Sequence, residues 1–363
     1  MKLVIKRVVA AVVFAGILLG VVNAVGFFAR PIDVEADNMS YLYKEDKDTL
    51  NVVCLGSSAM YRFWIPQQAY EEQNFTSNLV ASSAQNIKAV PYLMEEIEKT
   101  QDVDLFIVEI RSPLADEAHR LSGKYKQAKY TSLFSVVPMG MKQSLTRLQM
   151  INDVLVEDNE NTKLEWMIPI LKYHGNINKL TADEFVDRLN GVDKDELYTR
   201  IIANVEKQKE PVFEDDPDIV LPECDKQSID NIEAKAKGLG TKVLFISTPY
   251  IPNETRAALQ VKMGEYINQQ GYDFLDMTQK LDEIGLDLNV DFYDKNHVNI
   301  AGAQKVTTYM TDYIADHYKF QDRLNSDQKK YWENLCEDWD KEAADLLDQW
   351  QTEVEKGVSE NNE

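Results

Sequence analysis

Two short stretches of the sequence carry side chains of the kinds that transfer acyl groups. Ser57 and Ser58 directly follow a glycine and an apolar run, and a serine hydroxyl becomes a useful nucleophile only when a base removes its proton. The chain has four histidines, and one of them, His297, follows Asp294 by three residues. On a tight turn that opens a helix, this spacing lets the carboxylate accept a hydrogen bond from Nδ1 and leaves Nε2 to face a serine. The sequence therefore predicts a serine, histidine and aspartate triad.

Each of the two stretches also has a different explanation. A glycine and serines after a strand are ordinary turn residues, and Asp291, Asp294 and His297, spaced by three, could instead bind a metal ion. The sequence offers no second cluster of histidines or acids to complete a metal site, and it points to no cofactor. The joint occurrence of the two stretches favours the triad.

Predicted strands precede both stretches and alternate with predicted helices. Continuous apolar runs such as DLFIVEI are typical of strands that are buried on both faces. The predicted strands are Leu50–Leu55, Ser77–Val80, Asp104–Ile110, Lys242–Thr248 and Tyr272–Met277, with helices at Pro66–Gln73 and Gln85–Thr100 and before Gly240 and Gly271. This alternation predicts a three-layer α/β fold with a parallel sheet. The carboxyl ends of parallel strands share one edge, so we expect the two stretches to meet there.

An apolar segment near the amino terminus predicts attachment to a membrane. Three basic residues precede Val8–Phe28, and a helix of that length spans roughly 30 Å of hydrocarbon. The positive-inside rule places the amino terminus in the cytoplasm and the chain after about Arg30 outside, as a single-pass protein. A cleaved signal peptide is the alternative, because residues 22–24 resemble a small-residue cleavage site.

The charge balance argues against a nucleic-acid partner. The chain has 39 Lys and Arg against 61 Asp and Glu, a formal net charge of −22, and such a chain repels a phosphate backbone.

The three cysteines, Cys54, Cys224 and Cys336, have no metal-type spacing, and they predict no disulfide framework.

The remaining segments complete the predicted domain organisation. A long insertion, at about residues 112–227, separates the two halves of the predicted strand and helix alternation. It forms either a lid or helical subdomain over the sheet edge or a solvated decoration. The carboxyl-terminal helix has one apolar stripe, which packs on its own domain or on a partner protein. The predicted segments are an anchor at 1–30, a stalk at 31–49, an α/β domain at 50–323 with the insertion at about 112–227, the amphipathic helix at 324–354 and a disordered tail at 355–363.

The placement and order of the two stretches resemble the SGNH/GDSL hydrolase superfamily, with its serine near the start and its Asp-x-x-His near the end. The resemblance covers about Leu50 to Tyr318 and leaves the insertion unmatched. The runs NLVASSAQNIKAVPYLMEE from Asn78 and VEIRSP from Val108, with the amino-terminal anchor, are similar to the membrane-anchored extracytoplasmic branch. That branch includes the D-alanyl transfer protein of teichoic-acid modification and bacterial polysaccharide O-acetyltransferases. The resemblance implies a flavodoxin-like SGNH sheet and a bacterial cell membrane.

The resemblance also implies a role for each residue. Ser58 matches the nucleophile of the superfamily, and Ser57 stands where the family has an aspartate. His297 is then the general base and Asp294 orients it. The family completes its oxyanion hole with a glycine and an asparagine from the next two loops, and neither is plainly matched here. The polar candidates at those loops are Gln85 or Asn86, and Arg111; His174, in the insertion, is a candidate substrate contact, and a structural role is its simpler interpretation.

These roles imply acyl transfer through an ester on Ser58. With water as the acceptor the protein is an acetylesterase, and with a sugar hydroxyl it is an O-acetyltransferase of cell-envelope polysaccharide. The transferase would receive acyl groups from a multispanning membrane acyltransferase. The first alternative is a catalytically inactive SGNH-like scaffold that binds glycan or a partner; a plain secreted lipase is the second, and the acidic insertion is a poor lipid-facing lid.

Overall fold

The computed structural model describes residues 2–30, 38–83, 85–111, 136–155, 162–190 and 200–360. The elements before the insertion are α1 (Lys2–Ala29), α2 (Asn38–Lys44), β1 (Val52–Gly56), α3 (Ser58–Tyr61), α4 (Pro66–Gln73), β2 (Ser77–Ala81), α5 (Val90–Ile97) and β3 (Leu105–Glu109). Within the insertion lie α6 (Val136–Gly140), α7 (Leu145–Val154), α8 (Lys163–Met167), α9 (Ile170–Tyr173) and α10 (Ala182–Asn190).

The second half of the domain returns to the alternation of helices and strands. Its elements are α11 (Glu223–Leu239), β4 (Lys242–Ser247), α12 (Glu254–Gln270), β5 (Phe274–Asp276), α13 (Leu281–Ile284), β6 (Phe292–Asp294), β7 (His297–Val298), α14 (Ile300–His317) and α15 (Ser326–Glu360). The helix α11 begins at Glu223, so the last residues of the predicted insertion belong to the crossover helix before β4.

Five strands form one parallel sheet in the order β2-β1-β3-β4-β5. The first strand lies inside the sheet, where Cys54 pairs with Leu79 on one side and with Ile107 on the other. Every residue of β1, β2 and β3 is buried, as expected for parallel strands covered on both faces. The predicted α/β fold with a parallel sheet is therefore confirmed.

Helices cover the two faces of this sheet and divide the core in two. Successive side chains of a strand point to opposite faces, so Val53 and Leu55 join one apolar cluster while Val52 and Cys54 join the other. Residues of α5, α11 and α12 pack on the first face, and residues of α4, α14 and α15 pack on the second. The carboxyl edge of the sheet stays open to the loops that carry the polar residues.

Part of the predicted stalk is docked on the domain. Residues 38–44 form α2, in which Met39 and Leu42 are fully buried. The side-chain amide of Asn38 donates to the Ala81 carbonyl at 2.6 Å. Residues 31–37 lie outside the described residues, so the structure tests the stalk only from residue 38 onward.

The apolar stripe of α15 packs on its own domain. Trp332, Leu335 and Trp339 are nearly fully buried, and the indole N–H of Trp350 donates to the Val290 carbonyl at 2.8 Å. The helix also runs to Glu360, so residues 355–360 are helical although the sequence predicted disorder there. No proline interrupts residues 355–360, and an ion pair at helical spacing, Lys356 with Glu353, stabilises the last turns.

The amino-terminal helix α1 has 28 residues and a mean hydropathy of 2.6 over its most apolar window, which is long and apolar enough to cross a membrane. A capping box begins α10. The Thr181 hydroxyl accepts from the Glu184 backbone N–H at 3.2 Å, and the Glu184 carboxylate accepts from the Thr181 backbone N–H at 2.8 Å.

Candidate active site

Ser58 lies at the carboxyl end of β1, on the first turn of α3. The strand ends at Gly56, and Ser57 caps the short helix because its hydroxyl accepts from the Ala59 backbone N–H at 3.2 Å. Ser58 is half-buried while its neighbours in the chain are buried. The backbone N–H of Ser58 belongs to the first turn, where N–H groups have no partner within the helix. The hydroxyl and this N–H are therefore presented together at the sheet edge.

A close approach of β1 to β3 explains the glycine before the two serines. A Cβ atom at Gly56 would lie 2.7 Å from the Cβ of Glu109 and 3.2 Å from that of Met60. Real Cβ atoms essentially never lie within 3.0 Å of another heavy atom, so a larger residue at position 56 would displace the serine turn. The glycine is needed for space, since its backbone is ordinary extended strand.

A short hairpin supplies the partners of Ser58. The strands β6 and β7 pair antiparallel with Asp294 opposite His297. Nδ1 of His297 lies 3.0 Å from both carboxylate oxygens of Asp294, and Nε2 lies 2.8 Å from Oγ of Ser58. The Asn296 backbone N–H donates to Asp294 at 2.6 Å and fixes the carboxylate. The three residues selected from the sequence are thus joined by hydrogen bonds in the order that general-base activation of a serine requires.

The helix after the hairpin holds this turn in place. The Asn299 side chain caps α14 by accepting from the Gly302 backbone N–H at 3.3 Å, and it donates to the Val290 carbonyl at 2.7 Å. A Cβ atom at Gly302 would lie 2.4 Å from the carbonyl oxygen of Asp291. The start of α14 is therefore packed directly on the chain that leads into Asp294.

The surroundings of His297 favour its neutral form. Burial lowers the pKa of the imidazole, the hydrogen bond with Asp294 opposes that shift, and the positive charges of Arg111 and Arg62 lower the pKa further. Burial works to raise the pKa of Asp294, but the hydrogen bonds from His297 and from backbone N–H groups outweigh it, so its pKa is lowered. The pair is therefore a neutral imidazole oriented by a carboxylate, which is the resting state of a general base.

We expect acyl transfer to persist into mildly acidic solution. Only neutral His297 can accept the Ser58 proton, and a lowered pKa keeps the imidazole neutral at pH values where an ordinary histidine of pKa 6.5 would be protonated. The profile of kcat/KM for an acetyl ester against pH should rise as pH increases and reach half of its maximum below pH 6.5. An apparent pKa well above 6.5 would contradict the assignment of His297 as this base.

A buried carboxylate on β3 supports the serine turn from below. Oε2 of Glu109 accepts from the Ser57 hydroxyl at 3.0 Å, and Oε1 accepts from the backbone N–H of Arg111. The Arg111 Nε lies 3.6 Å from Oε1, and both side chains are almost fully buried. Burial raises the pKa of Glu109, and the charge of Arg111 opposes this shift. Glu109 thus connects the serine turn after β1 to the chain that follows β3, next to Ser58.

We expect Glu109→Gln to lower both stability and turnover. Glutamine replaces one acceptor oxygen by an NH₂ group, which leaves a buried donor unpaired at about 1–3 kcal/mol and removes the counter-charge of Arg111. Thermal unfolding should show the lost stability, and, for an acetyl ester as substrate, the folded variant should lose kcat with little change in KM because the serine turn moves. Glu96→Gln is the matched control, since Glu96 is a buried, hydrogen-bonded carboxylate on α5, and it should keep kcat. Unchanged kcat in Glu109→Gln would contradict the positioning role.

Gln85 and Asn86, two of the side chains predicted for the oxyanion hole, make hydrogen bonds at the end of β2 and in the loop after it. The Gln85 amide donates to the Val80 carbonyl at 3.2 Å, and its oxygen accepts from Ser82 at 3.2 Å. The Asn86 oxygen caps the following 3₁₀ turn by accepting from the Lys88 backbone N–H at 3.0 Å. Their loop follows β2, beside the serine turn, but these contacts stabilise the loop itself.

Arg111 lies beside the hairpin that carries His297, whereas His174 lies in the insertion. The Arg111 guanidinium donates to the carbonyls of Pro249 at 3.1 Å and Asn296 at 2.8 Å, so it braces the hairpin that carries His297. His174 is exposed, with Nδ1 3.0 Å from the Leu171 carbonyl, in the part of the insertion that packs against α1. The structure therefore brings Arg111 to the triad and leaves His174 beside α1.

The end of the insertion is hydrogen-bonded to the helix that begins with Ser58, through partners that the sequence did not indicate. Arg62 lies over the rings of Tyr61 and Tyr293 at 5.6 and 5.7 Å, and it donates to the Arg200 carbonyl at 2.5 Å. The Arg200 backbone N–H donates in turn to the Tyr61 carbonyl at 3.2 Å. These contacts connect the chain at residue 200 to the helix that begins with Ser58.

The chain then continues along the hairpin. The backbone N–H groups of Glu206 and Gln208 donate to carbonyls of Phe292 at 2.8 Å and Leu288 at 2.7 Å. The Ile300 N–H donates to the Ile202 carbonyl at 2.7 Å. Residues 202–208 are therefore hydrogen-bonded to Leu288, to β6 and to the start of α14.

Metal-binding geometry is not found in the part of the chain that the structure describes: no three His, Cys, Asp or Glu side chains there are placed to share an ion. The Asp291 carboxylate, one of the residues considered for a metal, instead accepts from Lys305 at 2.5 Å and from the Asp287 backbone N–H at 2.7 Å. Both contacts use Oδ2, which stabilises the loop before the hairpin.

Comparison with known proteins gives no identification. No protein-family model matches the chain, and no curated protein matches it significantly. The interpretation of the site therefore depends on its own geometry.

Proposed function

We propose that the chain is an extracytoplasmic serine acyl-transfer enzyme that works through an acyl-Ser58 intermediate. One observation carries the proposal, namely the hydrogen-bonded relay from Ser58 through His297 to Asp294 at the open carboxyl edge of a parallel sheet. A serine in such a relay gains a base that takes its proton and a carboxylate that holds the base in the correct tautomer.

We also propose that the fold is the flavodoxin-like sheet of SGNH hydrolases. Support comes from the strand order β2-β1-β3-β4-β5, which is the order of flavodoxin-like sheets. Further support comes from the serine after β1 and the Asp-x-x-His turn before α14. In this interpretation Ser57 and Glu109 together replace the aspartate that usually precedes the nucleophile, because the Ser57 hydroxyl donates to a carboxylate from the next strand.

The first half of the proposed reaction forms the acyl-enzyme. The Ser58 oxygen attacks the carbonyl carbon of the acyl donor while its proton moves to Nε2 of His297. The carbonyl oxygen becomes an oxyanion that the Ser58 backbone N–H is placed to stabilise. The bond to the leaving oxygen then breaks, and that oxygen takes the proton from the imidazolium, whose charge Asp294 stabilises.

The second half passes the acyl group to an acceptor. An acceptor hydroxyl gives its proton to Nε2 of His297 and attacks the ester carbonyl, and the Ser58 oxygen leaves and recovers the proton. Water as acceptor makes the protein an acetylesterase, and a sugar hydroxyl makes it an O-acetyltransferase. Because α1 is suited to a membrane crossing, we propose a cell-envelope polysaccharide as the substrate and a multispanning acyltransferase as the source of acyl groups.

The experiment that tests this function uses the full chain in lipid nanodiscs with 4-nitrophenyl acetate as donor. Release of nitrophenol that depends on Ser58 would support a working nucleophile. Adding acetyl-free envelope oligosaccharides then separates the two activities, since a transferase converts them to acetylated products and an esterase releases acetate. A folded chain that releases no nitrophenol and acetylates no oligosaccharide would contradict the proposal.

One observation favours a second candidate, a scaffold that binds glycan without turnover. Gln85 and Arg111 direct side-chain N–H groups to the backbone carbonyls of Val80, Pro249 and Asn296, so neither side chain is arranged as an oxyanion donor beside the Ser58 backbone N–H. A single donor gives less transition-state stabilisation than two or three. Glycan binding by calorimetry, together with no acyl-enzyme formation, would favour the scaffold over the enzyme.

A further inference from the structure

The last two turns of α1 are packed against the insertion. Residues 2–21 are exposed along the whole helix, whereas Gly26 and Ala29 are buried. A Cβ atom at Gly26 would lie 3.0 Å from the backbone nitrogen of Ile170, and the Asn176 side chain donates to the Ala29 carbonyl at 3.2 Å. Helix α9 and the 3₁₀ turn after it are thus fixed to one end of the apolar helix.

The charges at the start of α1 show where that end lies in a bilayer. Arg7 is the last charged residue before the apolar segment, and about 20 residues at 1.5 Å each cross the roughly 30 Å hydrocarbon core. With Arg7 at one boundary, the other boundary falls at Phe27 and Phe28. The Phe28 ring stacks on the Phe185 ring of α10, with centroids 4.5 Å apart. Phe185 therefore lies at the depth where acyl chains meet headgroups.

A group of apolar side chains is exposed beside this contact. We name it the juxtamembrane surface; its members are 41–62 % exposed, and they are Leu171, Ile177, Phe185, Val186 and Leu189. Three of them lie on α10 at positions i, i+1 and i+4, which is one face of a helix. Facing water, such a cluster would be unfavourable, since each buried methylene group is worth about 0.8 kcal/mol.

The charge of this region also differs from that of the whole chain. Residues 163–190 contain four basic and four acidic residues, while the chain as a whole has a net charge of −22. The region that touches the end of α1 is therefore neutral, and an anionic lipid surface repels it far less than it repels the rest of the protein.

We propose that the juxtamembrane surface lies in the lipid interface of the same membrane that α1 crosses. The occupant is the outer leaflet itself, because the surface is continuous with a helix whose apolar length ends at that depth. The interfacial helices hold the domain in one orientation, so the sheet edge with Ser58 keeps a fixed height above the bilayer. The proposal rests on α1 spanning the membrane and is independent of the acyl-transfer chemistry.

Fluorescence quenching on the full chain in nanodiscs tests this proposal. In a Cys224→Ser background, where Cys54 and Cys336 are buried, an environment-sensitive label is attached to Val186→Cys or Leu189→Cys. These positions are already exposed, so the labels leave the core intact. We expect a blue-shifted emission, strong quenching by lipids that carry a spin label near the headgroup, and protection from aqueous iodide.

Two controls keep the outcome decisive. Val220→Cys is an apolar position that is 71 % exposed outside the juxtamembrane surface, and its label should be accessible to iodide and insensitive to the spin-labelled lipids. Val12→Cys, in the middle of α1, should be quenched by lipids labelled deep in the acyl chain. Labels at 186 and 189 that behave like the label at 220 would overturn the proposal, and so would a label at 12 that no lipid quenches.

Discussion

Ser58→Ala is expected to lower kcat/KM for acetyl-ester turnover by about 10⁴-fold or more, since removing a triad member leaves only binding and oxyanion stabilisation. The hydroxyl that alanine lacks is the group whose oxygen lies 2.8 Å from Nε2 of His297. Ser58 is half-buried and caps nothing, so the variant should unfold at nearly the same temperature as the wild type. Steady-state kinetics with 4-nitrophenyl acetate measures the loss.

The neighbouring serine is the matched control. Ser57→Ala removes a hydroxyl of the same size one residue away, where it caps α3 and donates to Glu109. We expect Ser57→Ala to lose stability by about 1 kcal/mol, the usual cost of a lost cap, and to keep acyl-enzyme formation. If Ser57→Ala abolished the acyl-enzyme while Ser58→Ala retained it, the nucleophile would be Ser57.

His297→Ala is expected to cost as much as Ser58→Ala, and Asp294→Asn about 10³- to 10⁴-fold, because asparagine holds the wrong tautomer. Both carboxylate oxygens of Asp294 lie 3.0 Å from Nδ1, so the substitution leaves the shape of the hairpin almost unchanged. The double variant Ser58→Ala/His297→Ala should be no worse than either single variant, since residues that act as one unit are strongly non-additive.

His317→Ala is the control for the loss of a histidine. His317 lies at the exposed end of α14, where Nδ1 is 2.8 Å from the Tyr313 carbonyl, and its replacement should leave kcat/KM unchanged. Independent, additive losses from Ser58→Ala and His297→Ala would show that the two residues do not act on the same step.

The sheet and the triad could be predicted because their signals are local. Continuous apolar runs identify β1 and β3, and the three-residue spacing of Asp294 and His297 identifies a turn that brings a carboxylate to an imidazole. The carboxyl-edge rule for parallel strands then places Ser58 beside them. Strand order was not needed for this step, since all carboxyl ends lie on the same edge.

The other features of the site depend on contacts between distant parts of the chain. Glu109 supports Ser57 only because β1 and β3 are neighbours in the sheet, and the sequence does not state strand order. Residues 200–208 are joined to the helix that begins with Ser58, to β6 and to the start of α14 through backbone hydrogen bonds, which leave no pattern in side-chain types. A charged residue at the end of a buried strand, as at Glu109, was the one available signal.

Intact-mass measurement of the full chain after brief incubation with an activated acetyl ester tests the central claim most directly. We expect the mass to increase by one acetyl group, peptide mapping to place that group on Ser58, and the increase to vanish in Ser58→Ala. His297→Ala should acylate far more slowly, because Ser58 then has no base. A folded wild-type chain that gains no acetyl group, or gains it at another residue, would contradict the account of Ser58 as an activated nucleophile.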